Sequence, residues 1–428
     1  MRVMAFARAF PHNGDILAFH SGIATMPSSS SSMSSLALAR LPVARLAFRP
    51  FFLLAALFSV LAMVVWFAFW HGDILLRPHG GLVWWHQHEM LFGFAMAVVA
   101  GFLLTAVQNW TGLPSLKGGP LLALVGTWLA ARLLMAFPLG LPAWLLALVD
   151  LLFLPVVGVV MARLVIAARR WRNLIFLPAL ALLTLANLAM HLGVMNGDAE
   201  LIRQAAYLAV LLVTLLMTVV GGRVIAMFTA NRLGRPRKAP IPALEYASLG
   251  SVLAVVLAQL LALLGVALPG PLLAGLLGLA AMANAVRLAR WDGLASWREP
   301  LLWGLHASYA FIPVGLAMWA LAALGGLRTE LAVHALTIGG MGTMMLAMMA
   351  RVALGHTGRQ IRTLPGIGVA LGLMVAAAIV RSPVLALFPQ ITHWTYNLSI
   401  LFWCLAYLVF LFHYSAPLLS PRLDGKDG

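Results

Sequence analysis

The stretch WHQHEMLFGFAMAVVAGFLLTAVQNWTG, Trp85 to Gly112, decides the fold. Its middle is apolar for long enough to cross a bilayer as a helix, which takes about 20 residues. Its front end carries His86, His88 and Glu89. Comparable apolar runs recur along the chain. They predict helices at about 48–70, 88–108, 119–137, 142–163, 173–195, 201–230, 242–266, 269–288, 299–324, 330–354, 364–387 and 391–416, twelve in all. The chain is 63% hydrophobic and 9% charged, against about 25% charged for a soluble domain. The expected fold is all-α: a polytopic membrane protein in which every backbone polar group is satisfied within its own helix. Residues 41–417 read as one twelve-helix membrane domain and 418–428 as a tail. Residues 1–40, with the serine run Ser28 to Ser35, read as a disordered leader. The single cysteine, Cys404, lies in an apolar run, which excludes disulfides and cysteine metal sites.

The formal net charge of +16 invites a nucleic-acid reading, but the placement of the charges argues against one. With the N-terminus inside, only Arg77, Arg203, Arg328 and Arg381 fall on the outer side. Arg132, Arg223 and Arg351 fall within helices, and the remaining 21 of the 28 Lys and Arg fall in inner loops and tails. This is the positive-inside pattern, so both termini are expected in the cytoplasm.

The second, sixth and tenth helices end alike, in QNWTG (108–112), FTANR (228–232) and GHTGR (355–359). Aligned on Thr111, Thr229 and Thr357, they carry Thr105, Arg223 and Arg351 six residues earlier, and His88, Ala206 and His334 twenty-three residues earlier. Internal similarity with a period of about 120 residues suggests three pseudo-repeated arcs of four helices rather than two halves of six.

Most of the histidines gather at the outer side: His71, His79, His86, His88, His191, His334 and His393. Ionisable residues in membrane helices usually face the bundle interior, and neutral imidazole is the commonest metal ligand. The ordinary alternative for each is an interfacial histidine bonded to headgroups or loops. The repeat favours His88 and His334 as ligands from two helices at one depth, as a haem needs. His86 and His88 point about 200° apart on a helix, so His86 reads as a ligand for a second metal, with His191, or as a supporting partner. His306 and Tyr309 in LHASY (305–309) suggest an interior or cofactor contact. Arg351 and Arg223 either hold anions or snorkel to the headgroups. Arg132 and Asp150, at similar depth on neighbouring helices, read as a buried pair. The stripe Met341, Met345, Met348 reads as adaptable packing, and Gly93, Gly101, Gly339, Gly340 and Gly342 as points of close approach. Walker, dinucleotide-binding, HExxH and GxSxG motifs are all missing.

LAFRPFFLLAALF (46–58), the Trp85–Gly112 stretch, GGRVIAMFTANR (221–232) and HALTIGGMGTMMLAMMARVALGHTGR (334–359) resemble the NnrS family, in order and over nearly the whole chain after the leader. The resemblance implies a haem- and copper-containing bacterial inner-membrane protein linked to nitric oxide metabolism and nitrosative stress. Its motifs fall on His86, His88, Glu89, His191, His306, Tyr309, His334, Arg351, His356 and Arg359. The threefold pattern also resembles the main subunit of haem–copper oxidases, with twelve helices in three arcs and haem held between the second and tenth. The departures argue against an oxygen-reducing binuclear centre. The tenth helix has one outer histidine, and the sixth and seventh have none.

The expectation is a haem b protein, with copper a second candidate cofactor, that binds or detoxifies nitric oxide or iron-nitrosyl species. Candidate cofactor contacts are His88, His334, His306, Tyr309, Arg351 and His356, and candidate metal ligands are His86, His88, His191 and His334. The alternatives are a secondary transporter of a small solute and a metal- or haem-handling accessory factor. The lipid bilayer is an expected partner and nucleic acid is not.

Overall fold

The computed structural model describes residues 41–73 and 76–425. The expected leader, residues 1–40, lies outside them. Among the described residues the chain forms twelve helices long and apolar enough to cross a membrane, and no strand. They are α1 (Phe48–His71), α2 (Gly81–Thr111), α3 (Gly119–Ala136), α4 (Ala143–Ala167), α5 (Trp171–Asn196), α6 (Ala199–Leu233), α7 (Pro242–Leu263), α8 (Gly270–Ala289), α9 (Pro300–Ala323), α10 (Thr329–His356), α11 (Ile367–Leu387) and α12 (Pro389–Leu419). Their limits follow local chemistry. Gly72, Gly112, Gly197 and Gly234 end helices with positive φ, where a residue without Cβ carries no steric penalty. Pro242 and Pro300 begin helices, where a missing N–H costs nothing.

Most boundaries fall within a few residues of the expected ones. The exception is α2, which starts at Gly81 rather than near 88. Trp84, Trp85 and the polar residues after them hide its first turns from a hydropathy reading. His86 and His88 are both therefore helical. Helix α12 continues to Leu419, three residues past the expected end.

Three helices form the centre. Some 78% of the most apolar stretch of α2, 78% of that of α6 and 83% of that of α10 is buried, against 33% to 56% for the others. Around them, α3–α5 lead from α2 to α6, α7–α9 from α6 to α10, and α11, α12 and α1 from α10 back to α2. The centre thus recurs every fourth helix, the arrangement the repeat suggests.

Polar bonds tie the rim to the centre. Arg49 of α1, fully buried, donates to Leu418 O (2.9 Å) and Ser420 O (2.7 Å), joining the first helix to the end of the last. Helices α7, α8 and α9 meet where Arg287 pairs with Glu245 and donates to Tyr309 Oη (3.0 Å), while Tyr309 donates to Asn284 Oδ1 (2.6 Å). The glycines in the centre admit side chains from neighbouring helices. A Cβ on Gly342 would lie 2.6 Å from the Trp403 ring, and one on Gly339 would fall inside the van der Waals envelope of Phe311. Gly339→Ala is therefore expected to overpack the α9–α10 contact and to cost about 1–3 kcal/mol. Thermal unfolding in detergent checks this; an unchanged midpoint would mean that Phe311 yields freely.

Candidate functional site

Helices α2 and α10 share an irregularity. Each begins as a regular helix, then widens into π-helix at Glu89–Ala95 and at Ala335–Gly342. Such wide turns are rare and frequently mark functional sites. The residue just before each is a histidine, His88 or His334. The structural match supports the repeat alignment, but the two histidines enter different surroundings.

His88 turns away from the centre into the first arc. Its Nδ1 lies 2.9 Å from Glu89 Oε1, and its Nε2 lies 2.8 Å from Asn187 Oδ1 and 3.2 Å from Asp150 Oδ2. Arg132 of α3 donates to Glu89 Oε1 (2.6 Å) and to Asp150 Oδ1. Asn187 donates to Asp150 Oδ2 (2.6 Å), and His191 Nε2 lies 3.2 Å from the same oxygen. None of these six residues is more than 4% exposed. Gly93, one turn below Glu89, makes room for them: a Cβ there would lie 2.8 Å from Arg132 Nη1. Trp84 stacks on the His88 ring (4.4 Å, 15°) and fixes its plane.

His88, Asp150 and His191 each offer one potential donor atom, and these atoms lie within 4.8 Å of one another. The Asp150 Oδ2 to Nε2 separations of 3.2 Å match the roughly 3.3 Å between neighbouring ligands of a tetrahedral ion bound at about 2.0–2.1 Å. Charge points the same way. With ionised carboxylates and neutral imidazoles, Glu89 and Asp150 outweigh Arg132 by one negative charge, and a buried uncompensated charge is costly. A bound cation or an imidazolium supplies the balance.

His86 occupies the opposite face of α2, stacked on Trp66 of α1 (4.2 Å, 16°). Its Nδ1 is buried without a hydrogen-bond partner. His334 lies within electrostatic range of His86, and both lie within range of Arg381. The His334 Nδ1–H donates to Glu330 O (2.6 Å), a bond that commonly orients a ligating imidazole and leaves Nε2 to the metal. Arg381, read from sequence as an outer charge, is buried in the π-segment of α11 beneath the Tyr396 ring.

The sequence-derived candidates therefore divide into groups. His88 and His191 come together with Asp150. His86, set beside His191 in the sequence reading, lies on the opposite face of α2, within electrostatic range of His334. No hydrogen bond, ion pair or ring contact among the described residues joins His88 to His334. His306, Tyr309, Arg351 and His356 lie toward the other end of the bundle. His306 bonds Thr229 Oγ1 (2.9 Å), Tyr309 belongs to the Arg287 network, Arg351 lies over the Phe228 ring (3.9 Å) and His356 lies against Phe48. Asn187 and Trp84 were missed. Asn187 stands four residues before His191, on the same helix face, a spacing that carries the signal. His79, set aside as a loop residue, is buried against His191 (ring centroids 5.6 Å). Burial pushes its imidazole down to about 4, so the ring is neutral at neutral pH.

A family model described as NnrS protein matches residues 42–422, nearly the whole chain. No curated protein matches. The motifs that position both histidine groups, from the start of α2 to the end of α10, lie inside the matched span, and the chain belongs to the NnrS family.

Proposed function

We propose that this multi-pass membrane protein binds haem and a transition metal at the histidine end of its bundle, and there binds or processes nitric oxide or iron-nitrosyl species. The observation that carries the reading is the buried, net-negative cluster in which His88, Asp150 and His191 converge. Two imidazoles and a carboxylate suit copper(II), zinc or iron(II), and the family favours copper. Glu89 and Arg132 would hold the ligands in place, as outer partners do in metal sites.

The donor set of the other group fits haem. Among the described residues, His86 has a buried nitrogen without a partner, and His334 has its Nδ1 tied back to Glu330 O and makes no hydrogen bond through Nε2. Haem b bound there would supply an iron able to take nitric oxide. Trp66 would fix the plane of His86, and Arg381 offers a positive charge for a porphyrin carboxylate. The assignment differs from the pairing of His88 with His334 expected from sequence, because His88 turns into the first arc, against Glu89, Asn187 and Asp150. An apolar cleft of about 80 Å³ between α1, α2, α5, α6 and α10, lined by Val98, Phe102, Met217 and Met345 among others, has room for a neutral diatomic molecule. The basic segment Arg235–Lys238 lies at the opposite end and favours that end as cytoplasmic, in the bacterial inner membrane.

The test is metal and haem analysis of the full chain purified in detergent, with optical spectra before and after nitric oxide. A Soret band that shifts on adding the gas, together with a bound transition metal, is expected. Protein carrying neither haem nor metal would overturn the reading, and flux of a small solute by such protein would favour a transporter.

A further inference from the structure

At the end of the bundle opposite His88 and His334, the α6–α7 connection and the end of α8 border a cavity of about 40 Å³. That is room for roughly three water-sized groups at about 10–15 Å³ each, enough for one small polar head. Its walls carry five cations: Arg235, Arg237 and Lys238 from the connection, Arg287 of α8, and Arg290 just after that helix. Against them stand two carboxylates, Glu245 and Asp292.

Both carboxylates are already engaged. Glu245 pairs with Arg287, and Asp292 with Lys238. Arg287 forms a fixed floor. It is buried, donates to Thr218 O (2.9 Å) and Tyr309 Oη (3.0 Å), and lies so close to Gly222 of α6 that a Cβ there would overlap its guanidinium. Arg290 donates to Ala239 O (3.2 Å), which ties the connection to the end of α8. Among the described residues, the side chains of Arg235 and Arg237 make no hydrogen bond or ion pair. Three guanidiniums without a carboxylate therefore border one cavity. Like charges so placed repel, and an anion among them relieves the repulsion. The positive-inside pattern accounts for cations at this end. It does not account for their gathering round a cavity with a buried guanidinium at its base.

The neighbouring surface indicates what carries the anion. Asp292 turns the chain with φ of 54°, and the residues that follow present Leu294, 93% exposed, and Trp297, 66% exposed. Arg298 lies over the Trp297 ring (4.8 Å). Tyr246, near the start of α7, is also exposed. Aromatic side chains bare at the ends of membrane helices belong at the headgroup level of a bilayer. An anion dissolved in water would need no such surroundings.

We propose that this cavity binds the phosphate head of an anionic phospholipid of the adjoining leaflet, held by Arg235, Arg237 and Arg290, with Leu294 and Trp297 set in the leaflet beside it. Basic pockets between transmembrane helices on the cytoplasmic side recognise lipid heads by this chemistry. The inference is independent of the haem and metal readings.

The experiment uses the full chain in neutral detergent. Native mass spectrometry follows binding of phosphatidylglycerol against phosphatidylcholine, and thermal unfolding is compared in phosphatidylcholine nanodiscs with and without phosphatidylglycerol. Wild type is expected to retain one phosphatidylglycerol in preference to phosphatidylcholine, and to unfold at a higher temperature in discs that contain it. Arg235→Gln with Arg237→Gln should weaken that binding roughly 30-fold, at about fivefold for each cation near a lipid surface. Each single substitution should cost about fivefold, which guards against a folding defect in the double variant. Arg170→Gln with Arg172→Gln, two exposed cations of the α4–α5 connection outside the cavity, should match wild type. Equal losses in the two double variants, or none in the Arg235 and Arg237 variant, would mean diffuse surface charge and overturn the inference. Inorganic phosphate that protects lipid-free wild type as well as phosphatidylglycerol does would make this a site for a free anion and overturn the lipid assignment.

Discussion

Asp150→Ala is expected to destabilise the fold by about 3–5 kcal/mol, the range for breaking a buried ion pair by removing one partner, and to abolish metal binding at the histidine end. Asp150 is the hub of the cluster: Arg132 and Asn187 donate to it, and His88 and His191 face one of its oxygens. Alanine leaves the Arg132 guanidinium with Glu89 as its one remaining carboxylate partner, in a site almost sealed from water. It also removes the one carboxylate among the converging donors. Asp150→Asn separates the two effects. Its shape is retained, so the stability loss should be smaller, while the lost negative charge should still weaken the metal strongly. Thermal unfolding in detergent and metal content together check this. An Asp150→Ala protein as stable as wild type and with full metal content would contradict the assignment.

His334→Ala is expected to remove the haem absorption altogether, and His86→Ala to remove it or shift it to a five-coordinate form. His88→Ala should leave the haem spectrum intact. The distinction follows from direction. His88 points into the arc of α3, α4 and α5, held there by Glu89 and Asn187, while His86 stacks on Trp66 of α1 and His334 lies within electrostatic range of Arg381 of α11. Optical spectra of the three variants, compared at equal protein, decide the matter. Loss of haem from His88→Ala with retention in His86→Ala would restore the pairing expected from the sequence repeat.

The difference between those pairings shows what the sequence carries. Twelve apolar runs were legible because membrane helices must be apolar for their whole span, and glycine and proline punctuate them. The central role of α2, α6 and α10 was legible through the repeat of His88 with His334 and of Thr111 with Thr229 and Thr357. A repeat gives depth, however, and not direction. Helices related about a central axis present equivalent residues to different neighbours, so His88 and His334 share a level without sharing a site. The start of α2 was misplaced because Trp84, Trp85 and His86 interrupt the hydropathy signal, although a helix there buries Trp84 and Trp85 almost completely. The π-segments leave no mark on composition. Arg132 and Asp150 were legible as a pair because ions at one depth on neighbouring membrane helices have few other partners. Asn187 and His79 were not, since a single amide or loop histidine looks the same whether it faces lipid headgroups or a buried polar cluster.

The central claim is that two separate centres stand at one end of the bundle, a metal site in the first arc and a haem site between α2 and α10. The most direct measurement is copper and haem content of His191→Ala and His334→Ala prepared side by side with wild type. The expected result is crossed: His191→Ala loses copper and keeps haem, and His334→Ala loses haem and keeps copper. Loss of both cofactors from each variant, with both proteins folded, would mean a single shared centre and would contradict the account.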